Sequence, residues 1–325
     1  MARRPMYLGH IPIICAMMFS AAAPAQQPYP VKPIRIIVPI SPGAPPDVLA
    51  RLVSEKFATA LAQPVVVENR PGAFGTIGID AVAKASPDGY TLGMLTLGFL
   101  TAPAVMPKMP YDTAKDLAAV ALVGKDANLL VVPNGSHLTS VAELIKTAKT
   151  KPGMLKFASG GNGTSAHLVG ELFKRETAVD LVHIPYKGPV AGVTALIAGD
   201  VDMMFGAIGV VSAHVKSARL RVLAVSAPQR LPAYRDVPTL VEMGFPRVSF
   251  VNWFGLVAPA ATPKAVVARL HREIQTFGTA HETRQRLEAM GLESASATPD
   301  EFAALIRADL QRMNLLIRDA GIKLD

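Results

Sequence analysis

The sequence predicts an α/β fold of two lobes, with mixed sheets flanked by helices. Three observations point to it. Short apolar runs alternate with helical periodicities from Ile34 to the end of the chain, as parallel βαβ units require. Two glycine-bearing loops, 39–47 and 157–165, each follow an apolar run and open a helical pattern. Two further segments, 128–133 and 249–255, serve as crossings that divide the chain into one lobe of 26–128 plus 250–325 and another of 129–249. A ligand cleft then lies between the lobes, with the crossing strands as a hinge.

The elements follow in order. Ile34–Val38 is a strand, and after the loop the apolar residues Val48, Leu49, Leu52, Val53, Phe57 and Leu61 mark one helix face. Pro64–Glu68 is the second strand; a helix runs through Ala85, and Ser86-Pro87-Asp88-Gly89 turns the chain into the strand Tyr90–Thr96. Leu129–Val132 is strand-like, and Ser140 with Glu143 forms a capping box for the next helix. Leu155–Ser159 is a strand followed by a helix to about Arg175, and Leu181–Ile184, Val201–Phe205 and Arg221–Val225 are strands with helices between them. Thr262-Pro263 places an N-cap before a proline at N1, and Thr298-Pro299-Asp300-Glu301 repeats the device with a capping box. The final helix carries Phe302, Leu305, Ile306, Leu310, Met313, Leu316 and Ile317 on one face and ends at Gly321.

Charge and composition exclude several classes. The chain has 325 residues and a formal net charge of +8, but its Lys and Arg are scattered singly and only 6% of residues are aromatic, which does not build a nucleic-acid stripe. Arg3 and Arg4, the apolar segment 11–19 and Ala23-Pro24-Ala25 have the layout of a secretory signal cleaved after Ala25, and the apolar run is too short to span a bilayer. Cys15 is the only cysteine and would leave with that signal, so no disulfide is expected. The expected product is an exported, soluble monomer.

Chemistry belongs to the two strand-to-helix loops. In an open α/β sheet, ligands bind beyond the carboxyl ends of the strands, where helix N-termini present free N–H groups to anions. Two such loops across a cleft suit a carboxylate. Catalytic arrangements are missing: Ser165 and His167 lie two apart and do not face each other on a helix, and no Gly-x-Ser-x-Gly elbow occurs. The histidines show no metal-ligand spacing, the loop 160–164 lacks a P-loop ending, and Gly72-x-x-Gly75-x-x-Gly78 is no dinucleotide fingerprint. No cofactor and no metal are expected. A secreted hydrolase with an unrecognised Ser–His pair remains the rival from a different class.

The segments Val67-Glu68-Asn69-Arg70-Pro71-Gly72-Ala73 and Pro87-Asp88-Gly89-Tyr90-Thr91 resemble the substrate-binding proteins of tripartite tricarboxylate transporters, the Bug proteins. So do Ala158-Ser159-Gly160-x-Asn162-Gly163-Thr164-Ser165-x-His167-Leu168, His183-Ile184-Pro185-Tyr186-Lys187-Gly188, Asp236-Val237-Pro238-Thr239 and Trp253-Phe254-Gly255-Leu256. The resemblance implies a type II periplasmic binding fold of the Venus-flytrap kind. It also implies capture of a small organic carboxylate for integral-membrane transporter subunits; a sensor that presents the ligand to a membrane receptor kinase is the alternative binding module.

On this basis Ile40, Ser41, Gly43, Ala44 and Asp47 form the first half of a clamp, with Asp47 capping its helix rather than touching ligand. Ser159, Gly160, Gly163, Thr164 and Ser165 supply the second half, and Ile40, Thr96, Tyr186 and Phe205 form the cleft wall. The resemblance also shows departures. Ile40, Ala44 and Pro46 stand where the family's first loop has an aromatic, a second glycine and often a threonine, and Gly206 stands where many relatives carry an acid. These departures predict a pocket without a partner for an ammonium group, and Gly163→Val is expected to weaken binding more than stability.

Overall fold

A computed structural model describes residues 29–106 and 108–320. The signal-peptide reading and the expected helix end at Gly321 therefore lie outside the described residues. The first sheet region is built on β1 (Ile34–Val38), whose parallel neighbours are β2 (Val65–Asn69) and β3 (Thr91–Thr96). β1 is IRIIV with four of five residues buried, as a strand covered on both faces should be. Between these strands run α1 (Pro45–Leu61) and α2 (Thr76–Ala83), and α3 (Ala102–Val105) follows a 3-10 turn at Leu97–Thr101.

β4 (Leu117–Pro133) is the long element that ties the molecule together. Its first part pairs antiparallel with β9 (Val251–Pro259) from Leu117 to Ala127, and its last part, from Asn128 on, pairs with β7 (Met203–Ala207) and β8 (Leu220–Val225). Sequence reading found only its final residues, because Ala118, Ala119 and Ala121 carry little strand preference of their own. α4 (Val141–Thr150), β5 (Lys156–Ser159), α5 (Ser165–Thr177), β6 (Val182–Pro185) and α6 (Pro189–Ala198) come next, with α7 (Ile208–Lys216) joining β7 to β8. β5 runs parallel between β6 and β7. After β9 come α8 (Lys264–Thr279), α9 (His281–Ala289), β10 (Glu293–Ser294) and α10 (Pro299–Ala320). The path through the sheet is β2-β1-β3-β9-β4-β7-β5-β6.

Helix starts follow local chemistry. Ser140 Oγ accepts from Glu143 N–H at 3.1 Å, the N-cap half of the predicted box, while Thr298 and Glu301 exchange hydrogen bonds at 2.8 and 3.2 Å, so the second predicted capping box forms in full. At α8 the extended ψ of Pro263 (136°) makes the proline itself the N-cap, one residue later than expected, and leaves Thr262 outside the helix. α10 lays Phe302, Ile306, Met313 and Ile317 into the core.

The packing makes the two faces of the sheet traceable across the crossing. Leu49 and Phe57 of α1 and Leu270 of α8 pack in one cluster with Phe254 of β9, covering one face of the first region. α5 covers Leu130 and Phe205 in the second region, while α6 and α7 cover Leu129, Val131 and Met204 on the other side.

Candidate functional site

The first loop leaves the carboxyl end of β1 and enters α1. Ser41 and Gly43 are exposed, and Gly43 takes φ 84°, the left-handed conformation that favours glycine. Asp47 is 2% exposed and receives hydrogen bonds from Gly43 N–H (2.9 Å), Asn69 Nδ2 (2.9 Å) and Arg51 (3.0 and 3.1 Å). Burial pushes its pKa up, but the Arg51 guanidinium and the Gly43 and Asn69 donors outweigh that and hold it below the usual carboxylate range. Asp47 therefore fastens the loop to the helix. Asn69 also donates to Ile40 O at 3.0 Å, and the half-buried Ile40 packs beside the α1 core. Ala44 is buried as the N-cap position.

The second loop leaves the carboxyl end of β5 and enters α5, and its internal bonds reassign several expected ligand donors. Ser159 is fully buried; its hydroxyl lies 2.7 Å from His183 Nε2 and accepts from Gly161 N–H at 3.1 Å. Gly163 N–H donates to His167 Nδ1 at 3.1 Å, and Thr164 Oγ1 donates back to Gly161 O at 2.7 Å. His167 and His183 stack with ring centroids 3.9 Å apart, and Phe157 stacks on His183 at 4.7 Å. Burial lowers the His167 pKa to about 3 and the His183 pKa to about 4, so both rings are neutral. Ser159, Gly163 and Thr164 thus spend their donors on holding the loop in shape. Gly160 has a packing reason: a Cβ there would sit 2.9 Å from Pro189 N, where α6 begins. What remains open is the first turn of α5, where the N–H groups of Ser165 and Ala166 have no carbonyl within the helix.

The wall residues divide. Thr96 ends β3 with 5% exposure, and beside it Gly98 meets the second loop: a Cβ on Gly98 would lie 3.2 Å from Gly163 O and 3.6 Å from Thr96 Oγ1. Tyr186 is half-buried against the cluster of α6 and α7. Phe205 does not line a cleft; it is wholly buried, 5.7 Å from Phe173 in ring separation. Gly206, next in the strand, faces the α7 side instead. A Cβ there would come 2.3 Å from Val211 Cγ1 of α7, so an acid at this position would meet the Val211 side chain, which would have to give way, rather than the α5 face. Position 207, partnered with Asn128, is the one on the α5 side.

Sequence reasoning missed the polar residues of the crossing strands, since Asp126, Asn128 and Asn252 are scattered in apolar runs and share a face only once β4 pairs with β9. Asn128 is 1% exposed, and Ser165 Oγ donates to its Oδ1 at 3.4 Å. Its N–H donates to Ser226 Oγ (2.9 Å), which in turn donates to Phe250 O (2.9 Å), stitching the two chain crossings together. Ser159 and His183 form the Ser–His contact that a hydrolase would need, but the hydroxyl has no exposed surface for a substrate carbonyl to approach. Among the described residues, no group of three or more metal-ligating side chains occurs, and no helix is long and apolar enough to cross a membrane.

Comparison with known proteins places this geometry in company. A family model described as the tripartite tricarboxylate transporter family receptor matches residues 49–322. Protein BugT of Bordetella pertussis is 36% identical over 323 residues, covering 98% of each chain. Among solved structures, R. palustris Rpa4515 with adipate superposes with a TM-score of 0.85 at 30% identity, covering 91% of this chain and 99% of that one. MatC from Rhodopseudomonas palustris with bound malate gives a TM-score of 0.81 at 30% identity, covering 89% and 100%.

Proposed function

The chain belongs to the tripartite tricarboxylate transporter receptor family, and we propose that it captures a small organic carboxylate reversibly in the periplasm and delivers it to a membrane transporter. In this reading the lobes of 26–128 with 250–325 and of 129–249 close about the crossing strands, and no bond in the ligand is made or broken. The observation that carries it is the approach of Gly98 to Gly163, because it brings the edge that bears the first loop against the second loop. β1 and β3 run parallel, so the loop at 40–44 and the turn at 97–101 leave the same end of the sheet. The start of α5 then faces that end with the Ser165 and Ala166 N–H groups and the positive end of the helix dipole, which suits a carboxylate.

The adipate and malate of the two solved relatives support dicarboxylates as the first ligands to try. Ligand that binds only the native state raises the melting temperature, by an amount equivalent to about 2.7 kcal/mol at a hundredfold excess over Kd. Mature protein should melt higher with at least one of adipate, malate, succinate, propionate or phenylacetate at millimolar concentration. Unchanged melting with all of them would reject the reading. Delivery is tested separately: deletion of the gene should abolish uptake of the acid identified.

A further inference from the structure

Three polar side chains lie where the strands cross, and the function proposed above does not yet use them. Asp126 and Asn252 are register partners on β4 and β9, and Asn128 lies two residues beyond Asp126, so all three share one face of the sheet. The pairing runs without a register shift from Gly124 to Leu130 against β9 and then β7. At one end of this face, a Cβ on Gly124 would lie 3.4 Å from Leu49 of α1; at the other, Leu130 packs with Leu168 and Phe173 of α5. The face therefore spans from the α1 side to the α5 side, and the three residues form its middle, with Asn128 beside Ser165.

Asp126, Asn128 and Asn252 are 6%, 1% and 8% exposed. Asp126 Oδ1, Asn128 Nδ2 and Asn252 Oδ1 are buried and meet no hydrogen-bonding partner among the described residues. Each such atom costs about 1–3 kcal/mol, and a fold does not gather three of them on one face for stability.

We propose that Asp126, Asn128 and Asn252 form a third part of the ligand site, on the cleft floor, which binds a hydroxyl or ammonium group carried next to the ligand's carboxylate. The inference rests on the carboxylate-capture reading. Asp126 Oδ1 and Asn252 Oδ1 accept from the substituent and Asn128 Nδ2 donates to a ligand oxygen, while the α5 N-terminus holds the carboxylate. Burial raises the Asp126 pKa to about 7, against the pull of the Asn252 amide, as expected of a carboxyl that lacks a cation until one arrives. The acid sought at position 206 by sequence comparison is thus supplied from the hinge.

Calorimetry with three matched sets tests this: propionate, lactate and alanine; succinate, malate and aspartate; phenylacetate, mandelate and phenylglycine. In the set that fits the cleft, wild type should bind the hydroxy or amino acid at least about tenfold more tightly than its unsubstituted parent, and Asp126→Asn should erase that preference while leaving the parent's affinity within about twofold. The loss should be larger for the amino acid if the substituent is an ammonium, and equal for both if a hydroxyl suffices. Ligand-free Asp126→Asn should melt no lower than wild type, because it removes a buried carboxyl, a result that a structural role for Asp126 would not produce. Asn128→Ala tests a separate member of the cluster and should weaken the substituted acids selectively. Binding of the parent acid as tightly as its derivatives, or an equal loss for all acids in both variants, overturns the hinge site and leaves carboxylate capture standing. Absence of binding by every acid overturns both.

Discussion

At the residue scale, the second loop is an example of polar groups being consumed by architecture. Ser159, Gly163 and Thr164 have the residue types of an anion clamp, yet their donors are directed inward, to His183, His167 and Gly161. Gly163 is buried at φ 76° with its N–H engaged, so Gly163→Val should cost stability as well as affinity, about 1–2 kcal/mol for the left-handed backbone alone. That corrects the expectation of a selective binding defect. The stacked histidines make a pH prediction. Both have folded pKa values below the ordinary 6.5, so as pH falls the unfolded chain binds protons first, and stability present above about 6.5 is lost toward pH 4. Asp126 works the opposite way in that window, since its raised pKa favours the folded state at lower pH, but it is one proton against two. The melting temperature should fall between pH 7 and 4.5, and His183→Gln, which keeps an amide for Ser159, should flatten the fall. Parallel pH profiles for variant and wild type would remove the histidine stack as the cause.

At the scale of elements, the turn after β3 meets the second loop where Gly98 approaches Gly163 O. Gly98 is half-exposed and its φ is not in the glycine-only region, so a side chain there strains nothing locally. A Cβ would nevertheless press on Gly163 O at 3.2 Å, closer than an ordinary van der Waals contact, and valine adds two methyl groups beside that approach. Gly98→Val should keep the ligand-free melting temperature within a few degrees and weaken carboxylate binding at least about tenfold, equivalent to ~1.4 kcal/mol. Unchanged affinity would mean that the lobes do not close through this contact. The hinge itself is exposed to a different change. Ser226→Ala removes the acceptor for Asn128 N–H and the donor for Phe250 O at once, and should lower stability by about 1–3 kcal/mol, read from denaturant unfolding.

At the scale of the whole molecule, α10 belongs late in the sequence but packs against the beginning of the fold. Its Asp309 accepts from Trp253 Nε1 at 2.7 Å and from Arg312 Nε at 2.9 Å, and Phe302 meets the indole edge-on at 5.2 Å. Trp253 is 4% exposed and packs in a different core cluster from Phe254, its chain neighbour. The single tryptophan is thus tied to α10 by a hydrogen bond and an edge-on ring contact. Its emission maximum should stay constant on ligand binding, and a ligand-dependent shift would show that α10 moves with closure. Trp253→Phe should destabilise the protein markedly, since it both opens a cavity and removes a partner from a buried carboxylate.

The sequence by itself determined the alternation of strands and helices, the helix caps at Ser140 and Thr298, the two loops at the strand ends and the family. These are local matters: apolar periodicity, turn residues and short motifs act within a few residues of one another. Asp47, expected to cap α1, leaves the N-cap position to Ala44 and, three residues on, ties together Gly43, Arg51 and Asn69, partners that only the folded loop supplies. Only the tertiary structure decided which donors remain free, which face each strand residue occupies and what lies across the crossing. Phe205 and Gly206 are adjacent in sequence, yet one faces α5 and the other α7. Asp126 and Asn252 are far apart in the chain and meet because β9 returns antiparallel to β4. Face and partnership come from the register between strands distant in sequence, and no local pattern carries that register.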